Sequence, residues 1–174
     1  ETISRNDWDD VTQLLLGTKN DRTTILQSCL EAYIKDNRAV DVLSFLQVMV
    51  KASVMPTTAE YSSVVSLVTA MNPGNATACD ELARVLRKTR QWKSMLMLVE
   101  GVESSYGSTF QPKAMYQNAL YCCLEANKGD HAVRVLQSCL NKGITPPKQT
   151  VDALVHHLSK RLQRRKAVLV LDFS

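Results

Sequence analysis

Residues 115–147 read MYQNALYCCLEANKGDHAVRVLQSCLNKGITPP. In the first part, Tyr116, Ala119, Leu120, Cys123 and Ala126 recur at steps of three, one, three and three, which is one apolar stripe of an α-helix. The tripeptide Lys128-Gly129-Asp130 makes a turn, and Ala132, Val133, Leu136 and Leu140 then form a second stripe. Gly143 is a natural helix stop, and Pro146 and Pro147 cannot continue a helix. Lys113–Pro147 therefore predicts two antiparallel helices in 35 residues.

The same order of events recurs on both sides. Downstream, 148–174 gives a first stripe of Val151, Leu154, Val155 and Leu158 and a second helix within RRKAVLVLDF, so this unit is cut short at Ser174. At a shift of 35, Tyr116 falls on Val151, Leu120 on Val155, Cys123 on Leu158, Ala132 on Ala167 and Leu136 on Leu171. Upstream, 23–57 pairs the stripe Leu26, Cys29, Leu30, Tyr33 with the stripe Val42, Leu43, Leu46, Met49, and Pro56 falls where Pro146 falls. Residues 5–17, with Trp8, read as the second helix of a preceding unit, and 76–112 as another pair, with Trp92 in the place of Trp8.

The phase breaks once. Residues 58–75 hold one helix, with Tyr61, Val64, Val65 and Val68, and then the turn residues Asn72-Pro73-Gly74. Three helices, an odd number, thus lie between Pro56 and Pro112, and 58–75 is a half or irregular repeat. The expectation is an all-α chain, one helical-repeat domain over 1–174 that belongs to a longer polypeptide. One helix pair cannot bury its own apolar face. Stacked pairs bury a continuous core and leave a concave surface lined by first helices.

Composition narrows the function classes. Hydrophobic residues make up 45% of the 174, as in folded chains, and no apolar run reaches the roughly 18 residues of a membrane span. No signal peptide is visible, and the chain opens on Glu1 rather than Met, so a targeting segment is expected upstream. Five cysteines, Cys29, Cys79, Cys122, Cys123 and Cys139, include no C-x-x-C, which points to small buried residues rather than to disulfides or zinc. The neighbours His156 and His157 point about 100° apart on a helix and do not converge on one metal. No Gly-rich phosphate loop, G-x-S-x-G or H-E-x-x-H occurs, the carboxylates are scattered, and Cys122–Cys123 lacks a plausible base in its unit, where His131 lies at the turn before the second helix. The chain is expected to be no enzyme and to carry no cofactor or metal.

Charge is unevenly divided. Residues 1–83 hold 6 Lys/Arg against 11 Asp/Glu, a net −5, and residues 84–174 hold 15 against 6, a net +9. Two basic clusters stand out: Arg84, Arg87, Lys88 and Arg90, with Lys93 beyond, and Lys160, Arg161, Arg164, Arg165 and Lys166. Both are candidate phosphate-binding sites that hold a nucleic-acid backbone without reading sequence.

Helix pairs at a period near 35, with Tyr116-x-x-x-Leu120, Ala132-x-x-x-Leu136 and the ending Gly143-Ile144-Thr145-Pro146, resemble the pentatricopeptide repeat (PPR) family. The resemblance is closest over 23–62 and 113–171. It implies a right-handed α-solenoid, binding to single-stranded RNA and residence in mitochondria or chloroplasts, and the mitochondrion is the expectation for this chain. It also implies base reading by the residue after the first-helix Tyr with the last residue of the repeat. Carried over, these are Gln27 with Thr57, Ser62, and Gln117 with Pro147, along with Asp80 and Asp152, whose partners are unassigned. Only Ser62 carries a residue type the family prefers, and Pro147 has no side-chain donor or acceptor. The expected role is thus a non-catalytic RNA-associated scaffold, a subunit of a ribonucleoprotein such as the mitochondrial ribosome or an RNA-processing complex. Its partners would be single-stranded or ribosomal RNA and other proteins, with no small-molecule substrate and no membrane. The alternative is a protein–protein adaptor that makes no RNA contact.

Overall fold

The computed structural model describes residues 22–71, 75–106, 110–160 and 170. They form eight helices and no strand: α1 (Arg22–Lys35), α2 (Ala39–Lys51), α3 (Thr58–Thr69), α4 (Ala76–Lys88), α5 (Trp92–Ser105), α6 (Lys113–Glu125), α7 (Gly129–Asn141) and α8 (Lys148–Lys160). The segment 5–17 and the last basic residues, Arg161, Arg164, Arg165 and Lys166, lie outside the described residues.

Helix ends follow local chemistry. Among the described residues, five turns place one residue in the left-handed conformation: Asn37, Ser53, Arg90, Asn127 and Gly143. Around each, two backbone bonds close the preceding helix. At Asn127 they run from Asn127 N–H to Leu124 O and from Lys128 N–H to Cys123 O. This is the pattern that satisfies the last carbonyls of a helix. After Ser53 and Gly143 the next side chains, Val54 and Ile144, tuck into the core at 7% and 4% exposure. At the starts, Thr57 and Glu60 form a capping box on α3, and the Asn75 side chain accepts the Ala78 N–H on α4.

Packing puts the helices into two layers. Each helix packs on its chain neighbour and on the helix two places along, so α1, α3, α5 and α7 form one layer and α2, α4, α6 and α8 the other. Side-chain ties within a layer recur at 35–38 residues: Ser62 to Met97, Asp80 to Met115, Tyr106 to Met71 and Arg87 to Glu125. One contiguous apolar core runs between the layers from Leu26 to Leu158, with Tyr61 and Tyr116 fully buried. The architecture is an α-solenoid.

The layers do not follow the first-helix and second-helix pattern of the sequence. A three-residue link holding one left-handed residue joins α1 to α2 (Asn37), α4 to α5 (Arg90) and α6 to α7 (Asn127), whereas links of six or seven residues follow α2, α3, α5 and α7, so α1, α4 and α6 are first helices. α3 is followed by a six-residue link to α4 and has no second helix of its own. α4 takes the slot that this missing helix would fill, beside α2. First helices therefore occupy the odd layer at α1 and α3 and the even layer from α4 onward. The single surface lined by all first helices, expected from the repeat, is divided between two layers.

Candidate nucleic-acid interface

The first basic cluster sits on the exposed edge of α4. Arg84, Lys88 and Arg90 are exposed, and Arg87 is half-buried. Two clefts flank this edge. On the α2 side, a cleft of about 180 Å³ is lined by Gln47, Val50, Lys51, Glu81, Arg84, Val85 and Lys88. On the α6 side, an open cleft of about 470 Å³ is lined by Arg84, Arg87, Lys88, Arg90, Asn118 and Glu125. Arg84 and Lys88 border both, so they form a ridge between two troughs.

The four clustered cations are not equivalent. Arg87 Nη2 and Nε lie 2.8 and 3.1 Å from Glu125 Oε1, and its guanidinium stacks 4.4 Å from the Tyr121 ring centroid. The Tyr121 hydroxyl in turn accepts a hydrogen bond from Thr150 Oγ1 at 3.2 Å, so Arg87 belongs to a chain linking α4, α6 and α8. Its charge is matched by Glu125. Arg84, Lys88 and Arg90, together with Lys51 from α2, have no carboxylate within ion-pair distance among the described residues. Lys51 is the cation that inspection of the sequence missed. It lies 33 residues before Arg84, and only the stacking of α2 on α4 brings it to the ridge. In the second cluster, Lys160 is exposed at the end of α8, and its companions lie outside the described residues.

The positions implied to read bases fall at matching places on their helices but on two layers. Ser62, Asp80, Gln117 and Asp152 are each the fifth residue of α3, α4, α6 and α8, and Gln27 is the sixth of α1. Gln27 and Ser62 belong to the odd layer, and Asp80, Gln117 and Asp152 to the even one. Thr57 is occupied as the cap of α3. The Ser62 hydroxyl donates to Thr58 O at 2.9 Å, back along its own helix. Asp80 Oδ1 accepts the Met115 N–H at 2.6 Å and so caps α6 from α4. Burial raises the Asp80 carboxyl above its ordinary value, against the lowering pull of that N–H and of Arg84. Asp152 is exposed. Gln117 and Pro147, both exposed, share one cleft with Lys113, Cys139 and Ile144, so this pair is brought together.

The reactive groups are set up for packing. Burial pushes the Cys123 thiol up to about 12 and those of Cys79, Cys122 and Cys139 up to about 11, the opposite of an activated nucleophile. The Tyr61 and Tyr116 side chains are wholly in the core and present no ring to a base. Trp92, half-buried at the start of α5, stacks on His131 at 5.4 Å, with Lys128 Nζ 4.9 Å from its ring.

No family model matches the chain, and no curated protein matches it. Among solved structures it is similar, over 86% of each chain, to the PPR domain of Arabidopsis thaliana protein-only RNase P 1, determined in complex with tRNA. The TM-score is 0.49 and the identity 15%.

Proposed function

We propose that this chain is a non-catalytic, RNA-associated helical-repeat scaffold of mitochondrial gene expression, a subunit of a larger ribonucleoprotein such as the mitochondrial ribosome or an RNA-processing complex. The observation that carries the RNA reading is the α4 ridge. Lys51, Arg84, Lys88 and Arg90 gather at two adjoining clefts, and none of them is matched by a carboxylate at ion-pair distance among the described residues. Such a cluster suits a phosphodiester backbone, which is held by charge and carries no base information. The organellar setting is supported by the repeat pattern of the sequence. The residues at the base-reading places fit backbone holding better than a base code: Asp80 is engaged in capping, Thr57 is a helix cap, and Pro147 lacks a polar side chain.

The test has two parts. Fluorescence anisotropy with several single-stranded RNAs of unlike sequence should show similar affinities, each falling steeply with salt. Co-purification from mitochondria, with and without nuclease, should show RNA-dependent partners. No RNA binding at low salt, with protein partners that survive nuclease, would establish the adaptor reading instead.

A further inference from the structure

We infer that the RNA strand crosses the even layer, over the α4 ridge between the α2 and α6 clefts, and that the odd-layer helices α1 and α3 lie outside its path. This rests on the RNA-binding reading above and adds where the strand runs. The argument begins with the half repeat. Because α4 fills the slot a second helix would take, the chain presents α1 and α3 on one layer and α4, α6 and α8 on the other. A strand that follows one layer therefore meets only one of these sets.

Charge decides which. Lys51 on α2 and Arg84, Lys88 and Arg90 on or just after α4 all belong to the even layer. Arg84 and Lys88 lie one helical turn apart, roughly 6 Å along the axis, and both face out between the troughs. The troughs add neutral amides, Gln47 on one side and Asn118 on the other, which can hydrogen-bond to sugars or base edges, and one carboxylate each, Glu81 beside Lys51 and Arg84, and Glu125, which is held by Arg87. The odd helices α1, α3, α5 and α7 have the opposite balance. Their described side chains carry Glu31, Glu60, Glu100, Glu103 and Asp130 against Lys35, Lys93 and Arg134, a net −2, whereas the even helices carry seven Lys/Arg against Asp41, Asp80, Glu81, Glu125 and Asp152, a net +2. The outer side of α3 carries exposed Ser63 and Ser66, whose hydroxyls donate to carbonyls of their own helix.

The experiment makes each layer more negative in turn, by four charges on the even layer and by two on the odd one, with Arg84→Gln/Lys88→Gln as the even-layer change of two charges that matches the odd-layer variant. Arg84→Glu/Lys88→Glu is compared with Ser63→Glu/Ser66→Glu, each checked by circular dichroism melting, and binding to a mixed-sequence single-stranded RNA is measured across a salt series. The even-layer variant should lose at least tenfold in affinity near physiological salt. The milder Arg84→Gln/Lys88→Gln should reduce the slope of log affinity against log salt by about 1.4, near 0.7 for each lost phosphate contact. It also serves if the charge reversal melts early. The odd-layer variant should bind within twofold of the parent. Equal losses on both layers, or a loss confined to the odd layer, would overturn the path while leaving RNA binding intact. A parent chain that binds no RNA at low salt would overturn the RNA reading and the path with it.

Discussion

The hairpins α1/α2 and α6/α7 are near copies set 90 residues apart. Residues 31–60 and 121–150 have the same secondary structure position by position. Asn37 matches Asn127 and Ser53 matches Gly143, all four in left-handed turns. Val54 matches Ile144 and Pro56 matches Pro146, all four buried. Yet α1 lies in the odd layer and α6 in the even one. The separation is two and a half times a period of about 36 residues, and the odd half is α3. Local chemistry builds the hairpin, and the number of helices before it decides which way the hairpin faces. Two stretches of like sequence can thus present their first helices to opposite surroundings.

The largest test of this comparison is in the core. Leu30 and Leu120 occupy matching places and are 0% and 1% exposed. Replacing either by Ala should cost about 2–5 kcal/mol in urea denaturation. Leu120→Ala should cost more, because α6 packs against α4, α5, α7 and α8, whereas α1 packs against α2 and α3 among the described helices. A costlier Leu30→Ala would mean that α1 is the better enclosed of the two.

The next test addresses the seam that seats α5 beside α3. A Cβ added at Gly101 would stand 2.7 Å from Thr69 Cγ2, so the two helices approach too closely for any larger residue. Gly101→Ala should cost about 1–3 kcal/mol by overpacking. Thr69→Ser removes the clashing methyl and keeps the hydroxyl that donates to Val65 O. The double variant should recover much of the loss. Additive losses would show that this seam does not hold the layer together.

A smaller effect separates the two turns themselves. A side chain at Gly143 meets only Gln111 Nε2 at 3.8 Å, so the cost of Gly143→Ser lies in the backbone alone. At φ 68° that is about 1–2 kcal/mol. Ser53, at φ 58°, already bears this strain. Ser53→Gly should therefore stabilise, by about 0.5 kcal/mol once the freer unfolded chain is counted. Thermal melts of the two exchanges should move in opposite directions.

Much of this was legible in the sequence. The stripes around Leu30, Leu46, Leu120 and Leu136 mark buried faces, and all four residues are buried. The odd helix count between Pro56 and Pro112 was also visible, because Asn72-Pro73-Gly74 separates α3 from α4. Its consequence was not. Which layer a helix joins depends on contacts between helices two places apart, and no local pattern encodes them. The same limit hid Lys51 beside Arg84, and it hid the roles of Asp80 and Arg87. By helical spacing Arg87 looks like one more phosphate ligand. Its partners, Glu125 and Tyr121, lie on another helix, 38 and 34 residues on, and turn it into a strut.

That strut gives the smallest expected effect, and one on the side of α6 where α1 has no described counterpart. The Arg87 and Glu125 side chains keep 35% and 42% of their exposure, so solvent screens the pair. A double-mutant cycle with Arg87→Gln and Glu125→Gln should give a coupling of about 0.2–1 kcal/mol, smaller at high salt. The function of the residue is separable from this stability effect. With its charge matched by Glu125, Arg87 adds little to phosphate binding, whereas Arg84 faces open trough on both sides. Arg84→Gln should lower the slope of log RNA affinity against log salt by about 0.7, and Arg87→Gln by clearly less. Equal drops would mean that Arg87 leaves Glu125 when RNA arrives. The α4–α6 strut would then open on binding, and α6 would lose the tie that distinguishes it from its copy 90 residues earlier.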